Sequence, residues 1–410
     1  MNKIVILGLL TTSFVLSAGY KIPEKSINSL ALSGAYVAHT SGADTAYFNP
    51  ASMVFMEDKN FVELGVIGVH LNEQAYSLNG IQDGASETEN LPVPYVYYVS
   101  PKMGNFRAGL SLIVPAGLTK KWNTPFQKLS AEEFTLKIIE INPTLAYKIN
   151  ENISIGGGFR FIYSEGIVKS DGGDIFAIKR DMKGDAIAYG YNIAFLYKVS
   201  HDINFAFTYR SNIDIKEEGQ ANLTFGGITK QYDSDVTIPL PASLNIGISK
   251  TFLNKYTLEV LYERSFWSSY KNLDFNYNDT IYNPVLKSAF DDSKPKNWKD
   301  SNTFRVGLTA NLTEKMTTMF GFSYDETPVP TKYLGFELAD SNAINFSMGM
   351  RYKYTKNLSF GASFLYDIKD EIELESKEHY DTSALNPLYN GGTFDKGGAI
   401  LATVGVAYKF

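Results

Sequence analysis

Residues 399–410 read AILATVGVAYKF, and they read in steps of two. Ile400, Ala402, Val404, Val406, Tyr408 and Phe410 share one face of an extended chain; Leu401, Thr403, Gly405, Ala407 and Lys409 share the other. Successive side chains of a strand point to opposite sides. One face therefore suits hydrocarbon, and the other, small and mostly polar, suits the lumen of a membrane barrel. The split recurs upstream. Phe304, Val306, Leu308, Ala310 and Leu312 alternate with Arg305, Gly307, Thr309 and Asn311. Ile344, Phe346, Met348, Met350, Tyr352 and Tyr354 alternate with Asn345, Ser347, Gly349, Arg351 and Lys353.

Applied along the chain, this rule gives fourteen segments, near 61–71, 92–101, 104–115, 134–149, 152–169, 184–199, 202–222, 235–250, 255–275, 299–312, 315–327, 342–355, 358–374 and 396–410. Short turns near 102–103, 150–151, 200–201, 251–254, 313–314 and 356–357 alternate with long connections near 72–91, 116–133, 170–183, 223–234, 276–298, 328–341 and 375–395. That rhythm is expected of an even-stranded antiparallel transmembrane barrel with both ends on the periplasmic side. A soluble sandwich or propeller does not account for it. The expected fold is therefore an all-β membrane protein, a fourteen-stranded barrel over 61–410.

The remaining composition agrees. The first residues, MNKIVILGLLTTSFVLSAGY, carry a positive start, an apolar core over Ile4–Leu16 and a small-residue exit. This pattern predicts a signal peptide over 1–17, since its apolar run is too short to cross ~30 Å of hydrocarbon as a helix. The absence of cysteine excludes disulfides and thiol chemistry. A net charge of −6 argues against nucleic acid as a partner.

A fourteen-stranded bore is too wide for its own side chains to fill. Residues 18–60 are rich in Ala, Ser and Gly, with helical spacing at Ile27, Leu30, Ala31 and Ala35. Asn49-Pro50 imposes a chain reversal, because proline restricts its predecessor and lacks an amide hydrogen. The pattern is that of a lumen-filling hatch or of a periplasmic tail, and alone it does not choose.

Ordered motifs along nearly the whole mature chain resemble the FadL-type outer-membrane transporters of long-chain fatty acids and other hydrophobic compounds. They are Ala18-Gly19-Tyr20 with Ile22-Pro23-Glu24; Asp44-Thr45-Ala46-Tyr47-Phe48-Asn49-Pro50-Ala51; Tyr209-Arg210-Ser211 before Gly219; Ile238-Pro239-Leu240-Pro241-Ala242-Ser243; Trp298-Lys299-Asp300; Arg305-Val306-Gly307; and Tyr324-Asp325-Glu326-Thr327-Pro328-Val329-Pro330. The resemblance implies a fourteen-stranded barrel with an N-terminal hatch (Asp44, Asn49, Pro50, Ala51) in the bacterial outer membrane. It implies passive uptake of hydrophobic small molecules by a monomer among outer-membrane lipid and lipopolysaccharide. Cargo would be captured between extracellular loops, passed to a lumen pocket and released sideways beside an inward-kinked third strand. No cofactor, metal or energy-coupling partner is implied.

Residues follow from these expectations. In the 116–133 connection, Trp122, Phe126 and Leu129 are spaced as one helical face and are candidates for a capture groove. Pro115 and Gly117 end the third segment and are candidates for its kink. Arg107, Arg160, Arg210, Arg305 and Arg351 face inward by alternation. Each is a candidate for a fatty-acid carboxylate or for pairing with Glu140, Glu259, Glu263, Asp325 or Asp44. Alkanes or aromatic hydrocarbons would need no such cation and stay open as cargo; a general porin is a further alternative. The histidines His39, His70, His201 and His379 form no spaced catalytic or metal motif, and His379 with Ser376 and Ser383 reads as a solvated loop.

Overall fold

Period-two stretches become strands here because each presents apolar side chains to lipid and small or polar ones to the bore. The computed structural model describes residues 19–80, 82–382 and 386–410; the signal peptide expected over 1–17 lies outside the described residues. Fourteen antiparallel strands close into a barrel. They are β1 (Phe61–Leu71), β2 (Glu89–Val99), β3 (Phe106–Ile113 and Gly117–Lys121), β4 (Glu133–Lys148), β5 (Ile153–Asp171), β6 (Ile178–Lys198) and β7 (Ile203–Arg210 and Ile213–Phe225). There follow β8 (Ile228–Leu240 and Ser243–Phe252), β9 (Tyr256–Ser265), β10 (Ser301–Asn311), β11 (Met316–Asp325), β12 (Ala343–Lys353), β13 (Leu358–Lys369) and β14 (Ala399–Lys409). β1 pairs with β14 from Phe61↔Lys409 to Leu71↔Ala399, so the sheet has no edge at its seam. Closure matters because hydrocarbon offers backbone groups no partner. Leu64, Phe159, Ile187, Phe304, Met348 and Val404 stand exposed on the outer wall.

All fourteen expected segments are strands, but two connections expected to be long are not. β7 and β8 run on to Phe225 and Ile228 and are joined by Gly226-Gly227 alone. Both glycines have positive φ, 56° and 83°, as a two-residue hairpin turn requires. Likewise β5 and β6 extend to Asp171 and Ile178, leaving only 172–177 between them. The cause is a change of solvent. Outward positions such as Asp214, Lys216 and Glu218 are polar and exposed, so the apolar alternation ends while the backbone ladder continues.

Residues 19–60 occupy the bore. Helices α1 (Ile27–Ala31) and α2 (Thr45–Phe48) are buried at every residue, and a 3-10 helix follows over Pro50–Phe55. Asn49 organises the reversal. Its side chain accepts from Ala51 N–H at 3.1 Å and donates to the Val37 carbonyl at 2.8 Å. Asp44 accepts from Ser26 Oγ at 2.7 Å and from Tyr36 OH at 3.0 Å, tying α1 to α2. Inward side chains from around the wall satisfy the segment's backbone. Tyr97 OH donates to Lys25 O at 2.8 Å, Ser154 Oγ to Ala51 O at 2.7 Å and Ser347 Oγ to Ala31 O at 2.9 Å. The Glu259 carboxylate accepts the N–H groups of Val37, Ala38 and His39 at 2.6, 2.8 and 2.8 Å. These partners come from strands on opposite sides of the barrel, which puts the segment inside the bore rather than below it.

Candidate functional site

At the end of the barrel with the long connections lies a cleft of about 520 Å³. Helix α3 (Pro125–Ala131) forms one side, with Phe126 and Leu129 facing the cleft. Val285, Leu334, Phe336 and Leu388, from three other connections, complete the apolar lining. Trp122 is not part of this surface. It precedes α3 and is fully buried, stacking edge-on against Phe336 at 5.3 Å and donating Nε1–H to its carbonyl at 2.8 Å. The expected single helical face of Trp122, Phe126 and Leu129 is therefore corrected: Pro125 starts the helix, so spacing measured from Trp122 does not apply.

Beneath the cleft is a narrow apolar cavity of about 60 Å³ lined by Tyr20, Leu118, Phe134, Leu136, Ile238 and Trp298 among others. Tyr20 forms part of its wall. Its ring packs against Trp267 at 4.7 Å and Trp298 at 5.8 Å, and its hydroxyl donates to the Pro239 carbonyl. Sequence reasoning missed Tyr20 as a lining residue because its position depends on how the N-terminus docks.

That docking occurs at an interruption of the wall. β3 pairs with β4 at Ile113↔Glu140 and again at Gly117↔Lys137. Three residues, Val114, Pro115 and Ala116, thus oppose two on β4, a bulge that bends the strand. Pairing with β2 ends at Val96↔Leu112. The interior chain meets the freed backbone: Ile22 N–H donates to Pro115 O at 3.0 Å and Gly117 N–H to Tyr20 O at 2.9 Å. Pro115 and Gly117 therefore sit at the break, held by the N-terminal segment.

On the other side of the break, β2 runs from Glu89 to Tyr95 without a β3 partner. Ser100 N–H bonds to Ala108 O of β3, so even-numbered β2 residues direct their backbone toward β3. The first two even positions beyond the last pair are Pro94 and Pro92. Neither has an N–H, so this stretch of edge presents hydrocarbon with no orphan donor at either residue. The unpaired stretch ends where Glu87 N–H bonds to Lys121 O at 2.8 Å and Lys121 pairs with Glu89 at 2.9 Å. Two prolines two apart in a strand pattern were the legible signal for an unpaired edge.

All five arginines face the bore, and each engages the protein. Arg160 binds Glu140 through two nitrogens at 3.1 and 3.0 Å. Arg210 binds Glu140 at 3.0 Å and stacks on Tyr47 at 3.5 Å. Arg305 donates to Ser33 O at 2.7 Å and pairs with Glu263 at 3.2 Å. Arg351 meets both oxygens of Glu63 at 2.8 and 2.9 Å. Arg107 hydrogen-bonds only to carbonyls, those near the end of the N-terminal segment and that of Ser100 just after β2. At the short-turn end, a cavity of about 590 Å³ is lined by Glu57, Lys59, Glu63, Arg351, Lys353 and Lys356 together with apolar residues such as Phe61 and Met319.

His379 is buried rather than solvated, correcting that expectation. Its Nε2 bonds to Leu334 O at 2.9 Å, and Nδ1 accepts from Asp381 N–H and Asn386 Nδ2, each at 3.2 Å. The ring clasps two outer connections together. Ser383 lies outside the described residues.

The profile of the outer membrane protein transport family (OMPP1/FadL/TodX) matches residues 8–410. The chain is 21% identical to the long-chain fatty acid transport protein of Escherichia coli O6:H1, over 86% of this chain and 88% of that protein. Its fold is similar to the crystal structure of a Pseudomonas aeruginosa FadL homologue (TM-score 0.79, 20% identity, 95% of this chain and 99% of that one). It is similar also to the Pseudomonas putida toluene transporter TodX (TM-score 0.72, 15% identity, 95% and 99%). With its closed barrel, its filled bore and this match over almost its whole length, the chain belongs to the OMPP1/FadL/TodX family of outer-membrane transporters of hydrophobic compounds.

Proposed function

We propose that this protein takes up long-chain fatty acids passively and releases them sideways into the outer membrane. Cargo enters the cleft at Phe126 and Leu129, passes the apolar cavity at Tyr20, and leaves between β2 and β3. The observation that supports this reading is the unpaired stretch between β2 and β3. Its β2 edge lacks donors at Pro92 and Pro94, and its β3 edge is bonded to the mobile element of the scheme, residues 20–22. An apolar chain crossing there meets little unsatisfied backbone. Continuing straight down the bore would instead take it past the segment and into a passage lined by Glu57, Lys59, Glu63, Arg351 and Lys353. Desolvating such charges for a hydrocarbon chain is unfavourable.

Its relatives include both fatty acid and toluene transporters, so aromatic hydrocarbons are the second reading. Expressing the protein in cells lacking their own fatty-acid transporter tests both, with labelled oleate and labelled toluene as cargo. The proposal expects oleate uptake and no steady ion conductance from the purified protein in planar bilayers. Toluene uptake alone favours the second reading, and steady conductance without uptake of either favours a porin.

A further inference from the structure

We propose that Lys25 is the anion-binding centre of the bore and that it takes the carboxylate of a long-chain, singly charged amphiphile. This rests on the reading that cargo passes through the lumen. Below Tyr20 is a second cavity, of about 70 Å³, lined by Lys21, Lys25, Arg160, Arg210, Glu263 and Arg305 among others. Every cation of this group but one has a carboxylate. Lys21 pairs with Glu263; Arg160 and Arg210 share Glu140; Arg305 meets Glu24, Glu263 and Asp325. Lys25 has none within ion-pair distance among the described residues.

The Lys25 side chain is nonetheless buried, at 7% exposure. An ammonium carries three donors. The one hydrogen bond it makes is a long one, 3.4 Å to Pro23 O, and its Nζ lies 5.0 Å from the centre of the Tyr47 ring. A buried charge without a counter-ion is unfavourable, and the unfavourable term vanishes when an anion arrives. Of the five cations that line the cavity, Lys21, Arg160, Arg210 and Arg305 each touch a carboxylate, and Lys25 alone lacks an opposite charge in contact. One carboxylate supplies that charge. The cavity has room for a group of a few heavy atoms. Phe48 and Leu240 line it too, and suit the first methylenes of a chain.

Position supports the assignment. Pro115, at the break in β3, lines the same cavity, and the Lys25 carbonyl is held by Tyr97 of β2. A headgroup at Lys25 therefore sits beside the unpaired stretch of the wall. Lys25 went unnoticed in the sequence because its distinction is the lack of a partner, which only the assembled bore displays.

The test compares oleate with oleyl alcohol, which has the same chain and no charge. Displacement of diphenylhexatriene from the purified protein gives both affinities for wild type, Lys25→Met, Lys25→Gln and Lys25→Arg, with heat-modifiable gel migration confirming that each barrel is folded. The proposal expects oleate affinity to fall about tenfold or more in the Met and Gln variants, the effect of one charge-assisted hydrogen bond. Oleyl alcohol should be unaffected, and Lys25→Arg should keep most oleate binding. Unchanged oleate affinity in folded Lys25→Met or Lys25→Gln overturns the Lys25 site, while continued binding of the alcohol leaves the transport reading standing. Wild-type protein that binds neither molecule overturns both.

Discussion

A Cβ placed on Gly321 of β11 would lie 2.2 Å from the carbonyl carbon of Leu32 in the N-terminal segment. No side chain fits there unless the segment moves. Gly321→Val is expected to force the segment off this wall, at a penalty of about 1–3 kcal/mol typical of overpacking. The barrel ladder does not depend on that contact and should persist. Limited proteolysis should then cleave within residues 19–60 while the barrel stays folded, and steady ion conductance should appear.

Arg107 fixes the other end of the same segment. Its five N–H groups reach the carbonyls of Ser100 (2.7 Å), Met53 (3.0 Å), Met56 (3.1 Å), Glu57 (2.9 Å) and Lys59 (2.7 Å). Lysine has three donors and no planar fork. Arg107→Lys is expected to weaken docking of residues 53–59 by about 1–3 kcal/mol, the effect of leaving buried acceptors unpaired. Hydrogen exchange at those residues measures it, and protection equal to wild type would contradict the role.

Phe126 and Trp122 should separate in their effects. Phe126→Asn changes a side chain that lines the cleft, so oleate capture should weaken with the fold intact. Trp122→Ala removes a fully buried indole bonded to Phe336 O. It should loosen the outer connections by about 3–5 kcal/mol, read as faster proteolysis within 122–132. Equal effects of the two variants on capture and on proteolysis would refute the distinction.

His379 makes the outer connections sensitive to acid. Burial lowers its pKa below the ordinary imidazole value of ~6.5. Both groups bonded at Nδ1 donate, so a proton on that nitrogen breaks two hydrogen bonds. The folded pKa is lower than the unfolded one, so the clasp contributes fully at neutral pH and is lost as pH falls below ~6.5. Hydrogen-exchange protection over 379–382 and 386–390, taken relative to the intrinsic rate at each pH, should fall between pH 7 and pH 5 in wild type, and the fall should vanish in His379→Gln. A pH-independent wild type would contradict this.

The strand count was legible because lipid enforces a period of two wherever the wall is wet on one side and greasy on the other. Asp214, Lys216 and Glu218 mark where that pressure ends, and there the alternation misplaced the β7–β8 turn. Pro125 displaced the helix boundary by the few residues that decided whether Trp122 faced the cleft. The inward arginines were readable as inward, but their carboxylate and carbonyl partners come from strands and segments far apart in sequence. Pro92 and Pro94, two apart in a strand pattern, are a signal of an unpaired edge that the sequence reading passed over. That the edge faces an opening follows only from the register with β1 and β3.

The account depends most on the side exit. Combining Pro115→Val with deletion of Ala116 removes the extra residue of β3, restoring an unbroken register with β4. β3 can then lie straight against β2. Oleate uptake by cells carrying this variant, with surface barrel confirmed by heat-modifiable migration, is the direct measurement. Loss of uptake to background is the predicted result. A folded, straightened barrel that takes up oleate at the wild-type rate would contradict lateral release.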